Sequence, residues 1–482
     1  MKRSVTLFIS FVCTLLFLGS FNSNVNADTK TYNIGTDVTY PPFEFANDKN
    51  QYVGIDIDLM KAIAKEEGFK VNIKPVGFNA AVQSLQSGQL DGVMAGMAIT
   101  DERKQKFDFS KPYYRTGFVM AVATDSKVSN LKDLKGKRVA IKTGTAAGNY
   151  ALSLKKKYGF KTVTFDDSDN MYNDVVHGNS VACFDDEPVM QYAISTGTKL
   201  RIATKPAQLG HYGFAVMKGQ NQELLQKFNE GFDKIKANGE YDRIVQRYIS
   251  KKTIEAQKAA NTKANSEHTW IGLIQKNTPT LLKGLTQTIY ITILGIIGAT
   301  IFGVIVGLLG VIPNKLSQGI STTIIYIFRG LPLLVLALFI YNGIPTLTGT
   351  KISAVLAGII TLTLNEGAYT AAFVRGGIQA VDKGQMEAAR SLGLPFGKAM
   401  TKIILPQGLK IMVPSFINQF IITLKDTSIL SIIGILELTQ TGKIIIARNL
   451  EGFKVWAIIG AMYLIVITIL TWISNYVQKK LK

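Results

Sequence analysis

The chain has 482 residues, with 54 Lys and Arg against 34 Asp and Glu and a formal charge of +20. A single core stops growing at roughly 250–300 residues, so several domains are expected. The basic excess does not mark a nucleic-acid binder. From Ile271 to Lys482 there are 18 Lys and Arg against 6 Asp and Glu, so +12 of the charge flanks long apolar runs, as the positive-inside rule describes.

The N-terminus reads as a signal peptide over residues 1–27. Lys2 and Arg3 precede the apolar run Val5–Gly19, and Val25-Asn26-Ala27 is a small-residue cleavage site. The alternative is an uncleaved anchor; on either reading the following domain is exported. Cys13 and Cys183 are the only cysteines, so the processed domain has no internal disulfide.

Residues 28–250 form an extracytoplasmic domain. Its predicted strands are Tyr32–Asp37, Val71–Val76, Gly92–Ala98, Gly117–Ala123, Arg138–Lys142 and Tyr212–Met217. Helical spacing of apolar residues occurs over Gly54–Gly68, Asn79–Ser87, Ala146–Tyr158 and Asn221–Ala237. This alternation predicts an α/β fold with a mostly parallel sheet. Gly117–Ala123 and Tyr212–Met217 suit two crossovers between lobes, lobe 1 at about 28–118 and 214–250 and lobe 2 at about 119–213. A ligand in such a fold sits beyond the carboxyl ends of the strands, between the lobes.

Four motifs stand in register: Thr36-Asp37 with Tyr40-Pro41-Pro42-Phe43, Gly54-Ile55-Asp56-Ile57-Asp58-Leu59, Ile99-Thr100-Asp101-Glu102-Arg103, and Lys142-Thr143-Gly144-Thr145. Together they resemble the bacterial solute-binding proteins for polar amino acids, glutamine-binding proteins most of all. The resemblance implies a two-lobed, periplasmic-binding-protein-like domain of type II.

A free amino acid presents a carboxylate, an ammonium and a side chain, and each needs a buried partner. Arg103 suits the carboxylate as a bidentate fork, assisted by Thr145 and the Ala146 backbone amide at a helix N-terminus. Asp186 suits the ammonium, with the Gly96 carbonyl, while the Ala98 amide also serves the carboxylate. Tyr40 and Phe78 would sandwich the aliphatic stem. Asp37 and Lys142 would accept from and donate to an amide tip, which favours glutamine. Glutamate, asparagine or a cationic amino acid stay open, because Ala98 and Asp185 depart from the glutamine pattern, which has a hydroxyl residue and a histidine there.

Residues 251–269 read as a polar linker, flexible or forming a short surface helix. Residues 270–482 form an all-α membrane domain with five spans near 285–311, 324–345, 353–374, 412–434 and 456–476. With the N-terminal domain outside, eleven Lys and Arg fall on the cytoplasmic side and six on the outer side, which places the C-terminus inside.

Between spans three and four, within the loop 384–407, Glu387-Ala388-Ala389, Gly393 and Ile403-Ile404-Leu405-Pro406 match the EAA coupling motif of ABC import permeases. The resemblance implies that Glu387, Ala388, Gly393 and Pro406 belong to a knob seating in a separate ATPase subunit. Phe328-Arg329-Gly330-Leu331-Pro332 and Lys425-Asp426-Thr427-Ser428 resemble the polar amino-acid branch. That branch often carries a glutamate where Ala372 stands here. Glu366 lies six residues away, on another helix face, and is expected to face the translocation path or to pair with Lys425.

No Gly-Lys pair is followed by Ser or Thr, so the chain has no phosphate-cradling loop of the G-x-x-x-x-G-K-[ST] type. ATP and Mg are therefore expected on a partner ATPase, with no cofactor or metal on this chain. One permease half per chain suggests a homodimer in the lipid bilayer, or a heterodimer with a second permease. An amino-acid-gated channel or a sensor is the alternative function, and neither has a use for the coupling loop.

Overall fold

The computed structural model describes residues 30–47, 51–255, 269–449 and 451–481. The expected leader and linker residues 256–268 lie outside the described residues, and the linker's first five, 251–255, are helical.

In chain order the strands are β1 (Thr31–Thr36), β2 (Thr39–Tyr40), β3 (Glu44–Ala46), β4 (Tyr52–Val53), β5 (Lys70–Pro75), β6 (Gly92–Val93), β7 (Phe107–Phe109), β8 (Tyr114–Ala123), β9 (Arg138–Lys142), β10 (Lys161–Phe165), β11 (Ala182–Asp186), β12 (Leu200–Ile202), β13 (Ala207–Tyr212) and β14 (Ala215–Met217). One sheet has the order β5-β1-β6-β14-β7, with β1 parallel to β5 and β6 and β14 antiparallel to β6 and β7. The second runs β10-β9-β11-β8-β12, with β13 also paired to β8. Here β9, β10 and β11 are parallel, while β8 is antiparallel to β11, β12 and β13. Each lobe is thus a parallel three-strand core closed by antiparallel strands on the crossover side. The first lobe's core forms because helix Ile55–Glu66 buries Ile55, Leu59 and Ile63 completely, at i, i+4 and i+8. Helix Gln222–Ala237 adds Leu224, Phe228 and Ile235. Each such side chain contributes about 1.5–3 kcal/mol.

Three expectations are corrected. The Gly92–Ala98 strand ends at Val93, because Gly96 turns to φ +52°; Ala98 returns only as an isolated bridge to Tyr212. Tyr212–Met217 is two strands: β13 belongs to the second sheet and β14 to the first, so the chain crosses at Gly213-Phe214. The other crossing is Ser110–Tyr113, because all of β8 lies in the second sheet; lobe 1 ends near Phe109 instead of residue 118.

In the second half, helix Trp270–Leu309 packs along Ala354–Gln379. Gly295, Gly303 and Gly307, four or eight apart, sit directly on Leu362, Thr370 and Val374, the small-residue seam that lets two helices approach closely. Among the described residues, three helical stretches are long and apolar enough to cross a membrane: Trp270–Leu309, Phe396–Ile433 and Gly452–Tyr476. A bent pair, Lys315–Gly330 with Leu333–Thr348, would make a fourth. Ala354–Gln379 has the length, at 26 residues, but carries Asn365 and Glu366 near its middle.

Span boundaries shift accordingly. The first helix starts at Trp270, not 285. The second span is not straight: its two pieces meet at 99°. Pro332 has no N–H to continue the helix and forces Leu331 into an extended conformation, ψ 129°.

Candidate ligand site

The cleft between the lobes holds a pocket lined by Asp37, Tyr40, Phe78, Ala95, Gly96, Ala98, Arg103, Lys142, Thr145, Ala146 and Asp186. All ten residues singled out from the sequence lie on this wall, and Ala95 joins them. Those up to Arg103 come from lobe 1, and the last four from lobe 2.

The placements follow from local structure. Asp37 leaves the carboxyl end of β1, and Lys142 ends β9. Thr145 caps the helix Ala146–Tyr158, so the Ala146 amide lies in its first turn. Gly96 must be glycine: at φ +52° a Cβ would lie 2.6 Å from the Tyr40 ring. Its N–H donates to the buried Asp56 carboxylate at 2.7 Å, which fixes the Met94–Ala98 turn. Burial holds the Asp56 carboxyl up at about 6.

Arg103 enters from the short helix Asp101–Lys104, capped by Thr100. Its guanidinium lies 5.2 Å from the Phe78 ring centroid and donates to Ala98 O at 2.8 Å and, across the cleft, to Gly144 O at 3.1 Å. A guanidinium has five N–H donors, so these two bonds leave others for a carboxylate.

Asp186 is the opposite pole. Its Oδ2 accepts from the Tyr40 hydroxyl at 2.5 Å and the Tyr212 hydroxyl at 2.6 Å. Its Oδ1 is buried and has no hydrogen-bond partner among the described residues. Burial, then the neighbouring Asp185 carboxylate, pushes its pKa up to about 7.

Two assignments change. Asp37 and Lys142 are not separate tip-binding groups, because they form a buried ion pair across the cleft. The Lys142 ammonium also reaches Ser168 Oγ at 3.2 Å and Thr39 Oγ1 at 3.5 Å. The other Asp37 oxygen accepts the Val38 N–H at 2.7 Å and the Thr39 N–H at 3.3 Å. Thr145 spends its hydroxyl proton on Lys142 O at 2.9 Å while accepting the Gly148 N–H at 3.0 Å. In this arrangement it cannot donate to a carboxylate.

Sequence reasoning missed Asp56, Ser168, Tyr172 and Tyr212. Asp56 lies in the motif already quoted, so a signal existed for it; the other three are brought in by pairing across the fold. Asp185, which had stood out as an extra acid, does not line the cavity. Its Oδ2 accepts from the Tyr172 hydroxyl at 2.5 Å and its Oδ1 from the Asp186 N–H at 2.8 Å.

In the membrane half, Glu366 is buried at 1% exposure. One oxygen accepts from the Gln419 side chain, and Oε1 has no partner among the described residues. Gln419 and the Asp426 carboxyl, not Lys425, are thus its neighbours. The loop 384–407 folds as helix Lys383–Ser391, a turn at Gly393 with φ +83°, and short helix Phe396–Ala399. Glu387, Ala388, Gly393 and Pro406 are all exposed, beside Leu392 at 83% exposure.

Comparison with known proteins fits both halves. Residues 32–251 match the bacterial extracellular solute-binding proteins, family 3, and residues 299–482 match the binding-protein-dependent transport system inner membrane component. The glutamine transport system permease protein GlnP of Escherichia coli (strain K12) is 33% identical over 205 residues, 42% of this chain and 94% of its own length. The arginine-binding extracellular protein ArtP of Bacillus subtilis (strain 168) is 30% identical over 253 residues, 52% of this chain and 99% of its own. Among solved structures, the open form of substrate-binding domain 2 of Lactococcus lactis GlnP is 46% identical, with 47% of this chain and 98% of that one covered and a TM-score of 0.36.

Proposed function

The chain belongs to the polar amino-acid ABC importers, as a solute-binding domain fused to its permease, and on that premise we propose that its cargo is glutamine. The observation that carries the reading is the charge arrangement in the cavity. Arg103 supplies a fixed cation with spare donors, and Asp186 Oδ1 is a buried carboxylate oxygen waiting for a partner. These poles fit the carboxylate and ammonium of a zwitterion. At the third corner, Asp37 and Lys142 neutralise each other. A tip of either charge would unbalance that pair inside a low-dielectric cleft, whereas a neutral amide adds only hydrogen bonds. Asp185, the acid that would welcome a cationic tip, does not line the pocket, and its oxygens are engaged by the Tyr172 hydroxyl and, at 3.3 Å, the Tyr40 hydroxyl.

The rest of the cycle follows from the exposed knob. Glu387, Ala388, Leu392 and Gly393 offer a rigid, partly apolar corner to a separate ATPase subunit, which would bind ATP and Mg and drive transport. Two such chains would form the pore as a homodimer, with the binding domains outside and the C-termini in the cytoplasm. Glu366, buried beside the Asp426 carboxyl within the membrane half, would meet the ammonium of the passing amino acid.

Isothermal calorimetry of the full chain in detergent, against glutamine, glutamate, asparagine, arginine and histidine, tests the ligand. Glutamine should bind tightest. If arginine did so, the neutral-pair argument would be wrong.

A further inference from the structure

The binding domain touches the membrane domain through a built polar contact that the ligand cleft does not use. It lies in the turn after helix Phe78–Gln86, at the end of lobe 1. Gln89 is buried at 6% exposure, and both ends of its amide are engaged. Its Nε2 donates to Tyr341 O at 2.6 Å, and its Oε1 accepts the Ile352 N–H at 3.1 Å. Two residues on, Asp91 Oδ1 pairs with Lys351 Nζ at 2.7 Å, while its Oδ2 accepts the Asn33 N–H of β1 at 2.8 Å. Ser87 Oγ lies 3.3 Å from Asn342 Oδ1. Beside them Val76 sits so close to Gly434 that a Cβ there would come within 2.1 Å of it.

The partners on the membrane side have a pattern. Tyr341 and Asn342 lie in the π-helical segment Phe339–Gly343, and Lys351 and Ile352 follow the short helix Ile344–Thr348. They bracket the end of the second piece of the bent span. An amide carries its donor and its acceptor on separate atoms, so its tip can satisfy a carbonyl and an N–H that lie apart. Gln89 therefore fastens both sides of that segment at once, and buried neutral bonds of this kind are directional.

We propose that Ser87, Gln89 and Asp91 form a docking clamp by which lobe 1 grips the end of the broken second span at Tyr341, Asn342, Lys351 and Ile352, and that transport requires this grip although ligand binding does not. The clamp rests on the importer reading only for its consequence in transport. Its geometry stands alone.

The test uses the full chain. Asp91→Cys and Lys351→Cys, with Cys13 and Cys183 changed to serine, are treated in membrane vesicles with a short bis-maleimide. A protease site placed in the 256–268 linker then shows whether the two halves stay joined. A bridge is expected; its absence overturns the proposal. Gln89→Glu keeps the size of the side chain but cannot donate to Tyr341 O. It should lower uptake of labelled glutamine by at least about fivefold, the worth of one lost hydrogen bond, with calorimetric affinity within about twofold of wild type. Unchanged uptake in that variant also overturns the clamp. If Gln89→Glu lost ligand binding, Lys351→Glu decides instead, since it lies outside the binding domain and sets two carboxylates face to face; wild-type uptake there is again fatal. Failure of the wild-type chain to take up any amino acid would sink the importer reading, and the cross-link would still decide the clamp.

Discussion

Replacing Asp37 by asparagine tests whether cleft closure is secured by the Asp37–Lys142 pair. Both side chains are almost wholly buried, at 3% and 2% exposure. In Asp37→Asn the Lys142 ammonium loses its paired charge and keeps only neutral partners, an amide oxygen in place of the carboxylate, Ser168 Oγ at 3.2 Å and Thr39 Oγ1 at 3.5 Å. Removing one member of a buried pair costs about 3–5 kcal/mol, because the other charge stays desolvated. Here the cost falls on the closed form: Asp37 belongs to lobe 1 and Lys142 to lobe 2, so opening hands both to water. At 1.4 kcal/mol per decade, glutamine affinity should fall by roughly two to three and a half orders of magnitude. Lys142→Met should cost less, since Asp37 keeps the Val38 and Thr39 N–H donors. The double variant should recover part of the loss, which is the signature of coupling. Burial works against the Lys142 charge, but the Asp37 carboxylate more than offsets it, so its pKa is raised above 10.5. The pair's contribution is complete below that value and is lost only as pH rises through the elevated one. The Asp37→Asn deficit should therefore be flat between pH 6 and 9. Calorimetry of the full chain, with thermal unfolding as a check on the fold, provides the measurement. Near wild-type affinity in Asp37→Asn, or strictly additive effects in the cycle, would refute the reasoning.

Further outcomes follow from other parts of the chain. Below about pH 7, glutamine affinity should decline by up to tenfold per pH unit: Asp186 titrates near 7 without ligand, an ammonium beside it lowers that value, and binding must then expel a proton. Competition by the ligand's own ammonium is constant over this range, so titrations at pH 5, 6, 7 and 8 isolate the effect; a flat profile would count against Asp186 as the ammonium's partner. Gly393→Pro forces φ from +83° to about −65° at the knob, and should abolish co-purification of an ATPase while leaving ligand affinity unchanged. Glu366→Gln preserves an acceptor for Gln419 but removes the ionisable carboxyl. Uptake should drop about tenfold or more at unchanged binding, and a wild-type transport rate would dismiss the intramembrane role.

The contrast between what the residues announce and what only the fold reveals has a physical pattern. Most of the ten wall residues sit at strand ends, helix starts or the Gly96 turn, positions tied to local signals such as the Thr145 cap. Such signals survive in the sequence, so the wall was legible. Where each buried polar group spends its hydrogen bonds was not. Asp37 and Lys142 are 105 residues apart, and nothing local states that a lobe closure will set one against the other. Thr145 was legible as a cap, but capping is also what consumes its proton. The broken second span is a different case, because Leu331-Pro332 carried the signal, and hydropathy, averaged over twenty residues, blurs a break of two. The first helix begins at Trp270 for the converse reason. Its opening turns hold Lys276, Asn277 and Pro279, too polar for a span, yet Leu273 and Leu281 still bury against Leu438 and Ile445. Helix there is selected by packing against protein rather than by lipid, a preference that a hydropathy count cannot contain. The same holds for Gln89, whose amide reads as loop polarity until Tyr341 and Ile352, over 250 positions away, supply its two partners. In a fused chain the contacts that join the two halves are therefore the last features a sequence can yield, since each half folds on signals that never mention the other.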